Sequence, residues 1–261
     1  MSVTQTLGVG FNSIAVETDS GLVFRVARTP GTAAGFAKEQ RLLPRLSGVL
    51  PVAVPDPQWF AAETEHFPYG VIGYPKIEGR TLHPSLLKTN RQIGLAGQIA
   101  NLLEALHGLP LGDVARLDLP GPVHFPIKYR TVAKETLPVL RQRMTSKEVD
   151  CIDRWWDAFL ADERMTLFEP ALTHGDFWFE NMIVDQAASR LTGVVDWEHA
   201  AIGDRAQGLR DAAPPRRGLH DRCDRVLSKR WRPLRRRYAV PHAASMGATR
   251  VLRRALRRPV R

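Results

Sequence analysis

Within HGDFWFEN, residues 174–181, a His, two carboxylates and an Asn stand among three aromatics. Asp176 is followed by Asn181 five residues later and by Asp196 twenty residues later. These are hard oxygen donors. Magnesium takes one or two such protein groups and completes its shell with phosphate and water oxygens. A hairpin between Asn181 and Asp196 brings both to one metal, while Asp176 stays apart and can face an acceptor hydroxyl. Phosphoryl transfer is largely positioning and charge neutralisation, so a few fixed side chains suffice. Singly, each residue is ordinary: Asp176 and Asn181 suit turns, His174 a satisfied core position, Asp196 a strand end. The joint spacing points to chemistry.

The catalytic loop of protein kinases uses an Asp and an Asn at the same offset, the Asp as base and the Asn on a magnesium ion. A second Asp, opening the next loop, holds the metal that bridges the phosphates. Here LTGVV leads into Asp196-Trp197-Glu198, where a kinase has Asp-Phe-Gly. The N-terminal half supplies a complement. Gly8-Val9-Gly10-Phe11-Asn12-Ser13 lies between two strands, and such a turn can present N–H groups to phosphates. Arg25, in Val23-Phe24-Arg25, stands where kinases carry the lysine of Val-Ala-Ile-Lys, and Glu39 follows fourteen residues on. Arg28 is the rival base, on the other strand face.

The elements that position these groups are legible as patterns. Gln5–Gly10, Ser13–Thr18 and Leu22–Ala27 read as an antiparallel meander with a turn at Asp19-Ser20-Gly21. Thr32–Leu46 reads as a helix with Phe36, Leu42, Leu43 and Leu46 on one face. An extended Pro-rich stretch, VLPVAVPDPQWF, precedes a short strand at Tyr69–Tyr74. Asn90–Leu106, with Ile93, Ala96, Ile99, Ala100, Leu103 and Leu106 at helical spacing, stops at Gly108 and Pro110. Ile127–Met144 and Lys147–Leu160 are further helices, the second with Val149, Ile152, Trp155, Trp156 and Phe159 as core residues. Met182–Val184 and Leu191–Val195 form a small hairpin. Strands first and helices later predict an α+β chain of two lobes with a hinge near residues 74–80.

On these residues the chain resembles the aminoglycoside phosphotransferase family, small-molecule kinases with a protein-kinase-like fold. HGDFWFEN at 174–181, LTGVVDWEHAAIGD at 191–204, the turn at 8–13, VFRVAR at 23–28, Glu39 and FPYGVIGYPKIEGRTL at 67–82 carry the likeness. The resemblance implies a bilobal fold: an N-terminal antiparallel sheet plus helix at 1–79 for the nucleotide and a mainly helical catalytic lobe at 80–204. It implies Asp176 as base, Asn181 and Asp196 as magnesium ligands, and Arg25, held by Glu39, on nucleotide phosphates. It also implies nucleotide contacts from Gly8, Gly10, Asn12 and Ser13, backbone around Tyr74 and Lys76 against the purine, and support of the loop by His174 and Asp204. The donor would be ATP or GTP with Mg2+. The acceptor would be a hydroxyl of an aminoglycoside, another antibiotic or a metabolite.

Composition bounds the rest. Of 261 residues 44% are apolar, enough for one large domain or two small ones. No run approaches a membrane span, and the start lacks signal-peptide character, so the chain is expected to be cytoplasmic with no membrane partner. Two cysteines make a disulfide framework unexpected. The net charge of +10 is uneven: residues 205–261 hold 18 Lys and Arg against three Asp, giving +15, and the remaining 19 bases and 24 acids give −5. After Asp204 the likeness is expected to stop, because an Arg-rich tail replaces the helical wall usual in the family. The tail reads as sequence foreign to a kinase body, as a genuine basic segment able to contact nucleic acid, or as a folded but atypical end. The alternative to an active kinase is a catalytically impaired relative that binds nucleotide, or nucleic acid through that tail.

Overall fold

The computed structural model describes residues 1–86, 89–121, 125–163 and 168–206. The readings of the tail therefore fall outside the described residues, apart from Arg205 and Ala206. The described chain has strands β1 (Val3–Val9), β2 (Ser13–Thr18) and β3 (Leu22–Ala27), helix α1 (Pro30–Leu46), and strands β4 (Trp59–Ala61), β5 (Val71–Pro75) and β6 (Arg80–Thr81). Helices α2 (Thr89–His107), α3 (Leu111–Ala115), α4 (Phe125–Arg141) and α5 (Ser146–Leu160) follow, then strands β7 (Pro170–Thr173), β8 (Met182–Val184), β9 (Leu191–Val194) and β10 (Ala201–Asp204). Two packing units result, one from residues 1–121 and 170–206, the other from 125–163 and 168–169.

In the first unit the meander forms as its alternation predicts, within an antiparallel sheet of order β1-β2-β3-β5-β4. The two-residue period of β3 buries Val23, Arg25 and Ala27 on one face, so a charged residue enters the core by register. Helix α1 begins at Pro30, two residues before the expected start. Thr29 caps it by accepting from the Thr32 N–H at 3.3 Å, and proline is tolerated in a first turn. Its expected face, Phe36, Leu42, Leu43 and Leu46, is fully buried, worth about 1.5–3 kcal/mol per side chain before entropy. Ala27, Phe36 and Ile72 join helix and sheet into one core.

Strand β5 starts at Val71 rather than Tyr69, because residues 67–70 make a turn in which the Gly70 N–H donates to Phe67 O. The Pro-rich stretch is extended and pairs at Ala53, whose N–H donates to Thr192 O (2.9 Å) and whose O accepts from Val194 N–H (3.0 Å). Helix α2 buries Ala96, Ile99, Ala100, Leu103 and Leu106 as expected, and also Leu95 and Leu102. The side chain of Ile93 lies outside the described residues. Two short ladders complete this unit: β6-β8-β9, and β10 antiparallel to β7. No helix among the described residues is long and apolar enough to cross a membrane.

The second unit pairs α4 with α5. The Thr145 N–H donates to Glu148 Oε2 at 2.9 Å, closing the start of α5. Ile152 is buried with Ala133 and Leu137, whereas Trp155 and Trp156 are only half-buried around that core. Both indoles nonetheless pack against that core, as expected of core rather than ligand-stacking residues; Trp155 stacks on Phe159 and Trp156 meets it edge-on.

Candidate active site

The loop carrying Asp176 hangs between the β7-β10 ladder and the β8-β9 hairpin. Gly175 turns the chain at φ +85°, and a Cβ there would lie 2.0 Å from His199 O, so no other residue fits. The Asp176 N–H donates to His174 Nδ1 at 3.3 Å, which leaves the ring proton on Nε2 to donate to Val195 O at 3.0 Å. His174 thereby ties the loop to the residue before Asp196. Burial pushes its pKa down to about 4, so the ring is neutral at ordinary pH. Phe177 and Trp197 are buried against it, with ring centres 5.8 and 4.4 Å away, while Trp178 and Phe179 are half-buried. The aromatics of the loop thus pack it down.

Asn181 donates Nδ2 to Asp176 O at 2.9 Å and to Asp176 Oδ2 at 3.2 Å. With both amide hydrogens turned to Asp176, the group left for another partner is the oxygen Oδ1. The Val195 N–H donates to Asn181 O at 3.0 Å, so Asp196 emerges one residue beyond the point where the two strands meet. Asp196 sits at φ +67°, a left-handed conformation that is uncommon for a residue with a side chain and typical of functional turns. Asp176, Asn181 and Asp196 are therefore brought together, as the spacing predicts. Two hard oxygens on adjacent strand ends suit magnesium with few protein ligands.

Arg25 joins this cluster to the sheet. Its Nη1 donates to Glu39 Oε1 and Oε2 (2.9 and 3.0 Å), and its Nη2 to Asp196 Oδ1 (2.6 Å) and Glu198 Oε2 (2.9 Å). Its guanidinium lies 4.9 Å from the centre of the Phe36 ring. Burial alone would lower its pKa. Glu39 first, then Asp196, Tyr74 and Glu198, outweigh that and hold the group charged, above its ordinary range. Burial, with the Glu39 and Asp196 carboxylates, pushes the Tyr74 phenol up against the opposing pull of Arg25. Tyr74 thus meets the site through its buried side chain.

Gly8 is exposed on β1 opposite Ala15, and the Gly10 N–H is spent on Ser13 O at 2.9 Å, so the hairpin satisfies itself at that donor. Ser13 pairs with Ala27 in the ladder. At Lys76 the β5-β3 pairing runs on: its N–H donates to Gly21 O (2.9 Å), and its Nζ is held by both oxygens of Glu17 (2.9 and 2.7 Å). Arg28 donates Nη1 to Gly10 O, away from the carboxylates that hold Arg25. Asp204 pairs with Pro170, three positions along the ladder from Thr173, and its Oδ1 accepts from the Ala206 N–H. That is the end of the ladder remote from the loop.

Two residues escaped the sequence reading of the site. Glu198 entered it only as part of a motif, yet it is buried and bonded to Arg25 and to Asn12 Nδ2 (2.7 Å). Lys38 reaches back from α1 to Ala200 O at 2.8 Å, its pKa lowered by burial. Helical spacing offered a signal, since Gly35, Lys38, Glu39 and Leu42 share one buried face.

By structure, the chain is similar to the GDP and kanamycin complex of APH(2")-IIia (20% identity, TM-score 0.75), covering 98% of this chain and 94% of that one. It is also similar to APH(2")-IIa in its streptomycin-ATP ternary complex (18%, TM-score 0.67, covering 94% and 81%). A third likeness is to macrolide 2'-phosphotransferase MphH from Brachybacterium faecium (23%, TM-score 0.55, covering 98% and 91%). At these identities the likeness shows the fold, α+β and protein-kinase-like. The model of the phosphotransferase enzyme family, APH, matches residues 5–240, so the likeness runs past Asp204, where it was expected to stop. The chain belongs to the phosphotransferase enzyme family.

Proposed function

We propose that this protein transfers the γ-phosphoryl group of ATP or GTP to a hydroxyl of a small molecule, an aminoglycoside or macrolide being the leading acceptor class. The observation that carries the reading is the convergence of Asp176, Asn181 and Asp196, with Arg25, itself held by Glu39, bonded to the last of them. Asp176 is the proposed base: it would accept the proton of the attacking hydroxyl as the oxygen-phosphorus bond forms and the bond to the nucleotide diphosphate breaks. Asn181 Oδ1 and Asp196 would hold magnesium, which supplies charge neutralisation at the phosphates. Arg25 orients Asp196 and contributes positive charge beside the phosphate path. The sheet at 1–79 would take the nucleotide, with the hinge near 74–80 against the purine, and 80–204 would carry the transfer machinery. The similar structures, a GDP and kanamycin complex, a streptomycin-ATP complex and a macrolide 2'-phosphotransferase, favour the donor and acceptor classes.

The test is transfer of labelled γ-phosphate from ATP and from GTP, with magnesium, over a panel of aminoglycosides, macrolides and amino alcohols. Asp176→Asn should lower turnover by about 10²–10⁴, the usual worth of a general base. Undiminished transfer by that variant would overturn the assignment.

A further inference from the structure

Glu198 is buried with its side chain 4% exposed, and both its oxygens are engaged. Oε2 accepts from Arg25 Nη2 at 2.9 Å, and Oε1 accepts from Asn12 Nδ2 at 2.7 Å. The exposed ring of His199 stands 3.4 Å from the same Oε1. Asn12 is held at its other end as well, its carbonyl accepting from the Arg28 N–H (2.8 Å) and the Thr32 hydroxyl (3.1 Å). Its neighbour Phe11 is 88% exposed, so apolar burial does not hold the tip of this turn. The side-chain bond from Asn12 to Glu198 links it directly to the loop that bears Asp196. The backbone on the far side is fitted to the same purpose: a Cβ on Gly35 would lie 2.8 Å from Glu198 Cβ, so helix α1 and this loop approach as closely as a bare glycine permits.

We infer that Glu198 is a positioning residue that latches the turn at residues 8–13, through Asn12, beside the metal-binding face of Asp196. This rests on the kinase reading above. With Arg25 fixing one oxygen, the carboxylate presents the other at a set place, and the turn is drawn to where its backbone would cover the phosphates. The role differs from that of a metal ligand, because both oxygens are committed to nitrogen donors within the protein.

The experiment uses the full chain with Asn12→Ala, Glu198→Gln and Glu198→Ala. Amide hydrogen exchange over residues 8–13, without nucleotide, should quicken in Asn12→Ala and in Glu198→Ala. It should stay near wild type in Glu198→Gln, whose amide can still bridge Arg25 and a flipped Asn12 amide. Affinity for a fluorescent nucleoside diphosphate with magnesium should fall about tenfold in Asn12→Ala, the factor for losing one hydrogen bond to a charged group. The KM for nucleotide should rise more than kcat falls. If Glu198→Ala does not fold, Asn12→Ala decides alone. Unchanged exchange at 8–13 in Asn12→Ala overturns the latch. A wild-type protein that binds no nucleotide overturns the kinase reading instead, and the exchange result still judges the latch.

Discussion

Removing the guanidinium of Arg25 should unfold this protein more readily than any surface charge change. The side chain is 6% exposed and donates four hydrogen bonds to three carboxylates, two of which, Glu39 and Glu198, are themselves sealed from water at 1% and 4%. In Arg25→Met the aliphatic stem still fills much of the space, so the loss is mainly electrostatic. Breaking a buried pair by deleting one partner costs about 3–5 kcal/mol, and here the deletion leaves carboxylates facing one another. For a chain of this size each kcal/mol moves the midpoint by roughly 2–4 °C, so Tm should fall by about 10 °C. Arg25→Lys should fall less, since one ammonium keeps the charge but cannot span both Glu39 and Glu198 as a planar fork does. Arg25→Met combined with Glu39→Gln should recover part of the loss, because one stranded charge is removed with its partner. Thermal unfolding by far-ultraviolet circular dichroism, without nucleotide, reads all three. A drop within about 2 °C for Arg25→Met, where about 10 °C follows from the buried pair, would refute the view that this arginine neutralises the cluster.

Stability should also depend on pH through His174. Its folded pKa of about 4 lies below the ordinary 6.5, so the unfolded chain takes up a proton in that interval that the native ring refuses. Stability is complete above pH 6.5 and declines as the pH falls toward 4, by on the order of 3 kcal/mol in total. His107, also lowered to about 4 by burial, adds to the same slope. His174→Gln should flatten it, and equal pH slopes for variant and wild type, from denaturant titrations, would remove His174 from the account. Gly175→Ala places a Cβ 2.0 Å from His199 O at a positive φ, so the loop must shift. It should cost at least about 2 kcal/mol and most of the transfer activity. Wild-type Tm and turnover would contradict that.

Local spacing carried the site because its parts are set by short stretches. A five-residue offset between Asp176 and Asn181 is one loop, and a hairpin delivers Asp196 beside it. The meander and α1 were legible for the same reason, since alternation and helical spacing act within a dozen residues. The strands β7 and β10 were not legible: each has four residues, and a Gly-Asp end such as that of β10 holds no period. Glu198 and Lys38 were missed because their partners lie more than 160 residues away in sequence. The indoles of α5 were placed by helical pattern beside the core of the second unit, but that pattern does not set how deeply they are buried, and both remain half-buried.

The choice of arginine at position 25 and of glutamate at position 198 explain each other. A lysine at position 25 would offer one point charge to Glu39 and Asp196, and a third buried carboxylate beside them would stand uncompensated. The planar fork of arginine separates its duties: Nη1 serves α1 through Glu39, and Nη2 serves the loop through Asp196 and Glu198. Glu198 can then spend its second oxygen on Asn12 without losing its countercharge. The result joins four segments, the turn at 8–13, β3, α1 and the loop after β9, in one hydrogen-bonded cluster. Positioning of Asp196, on which phosphoryl transfer would depend, thus follows from the same contacts that let the sheet keep a charge in its core.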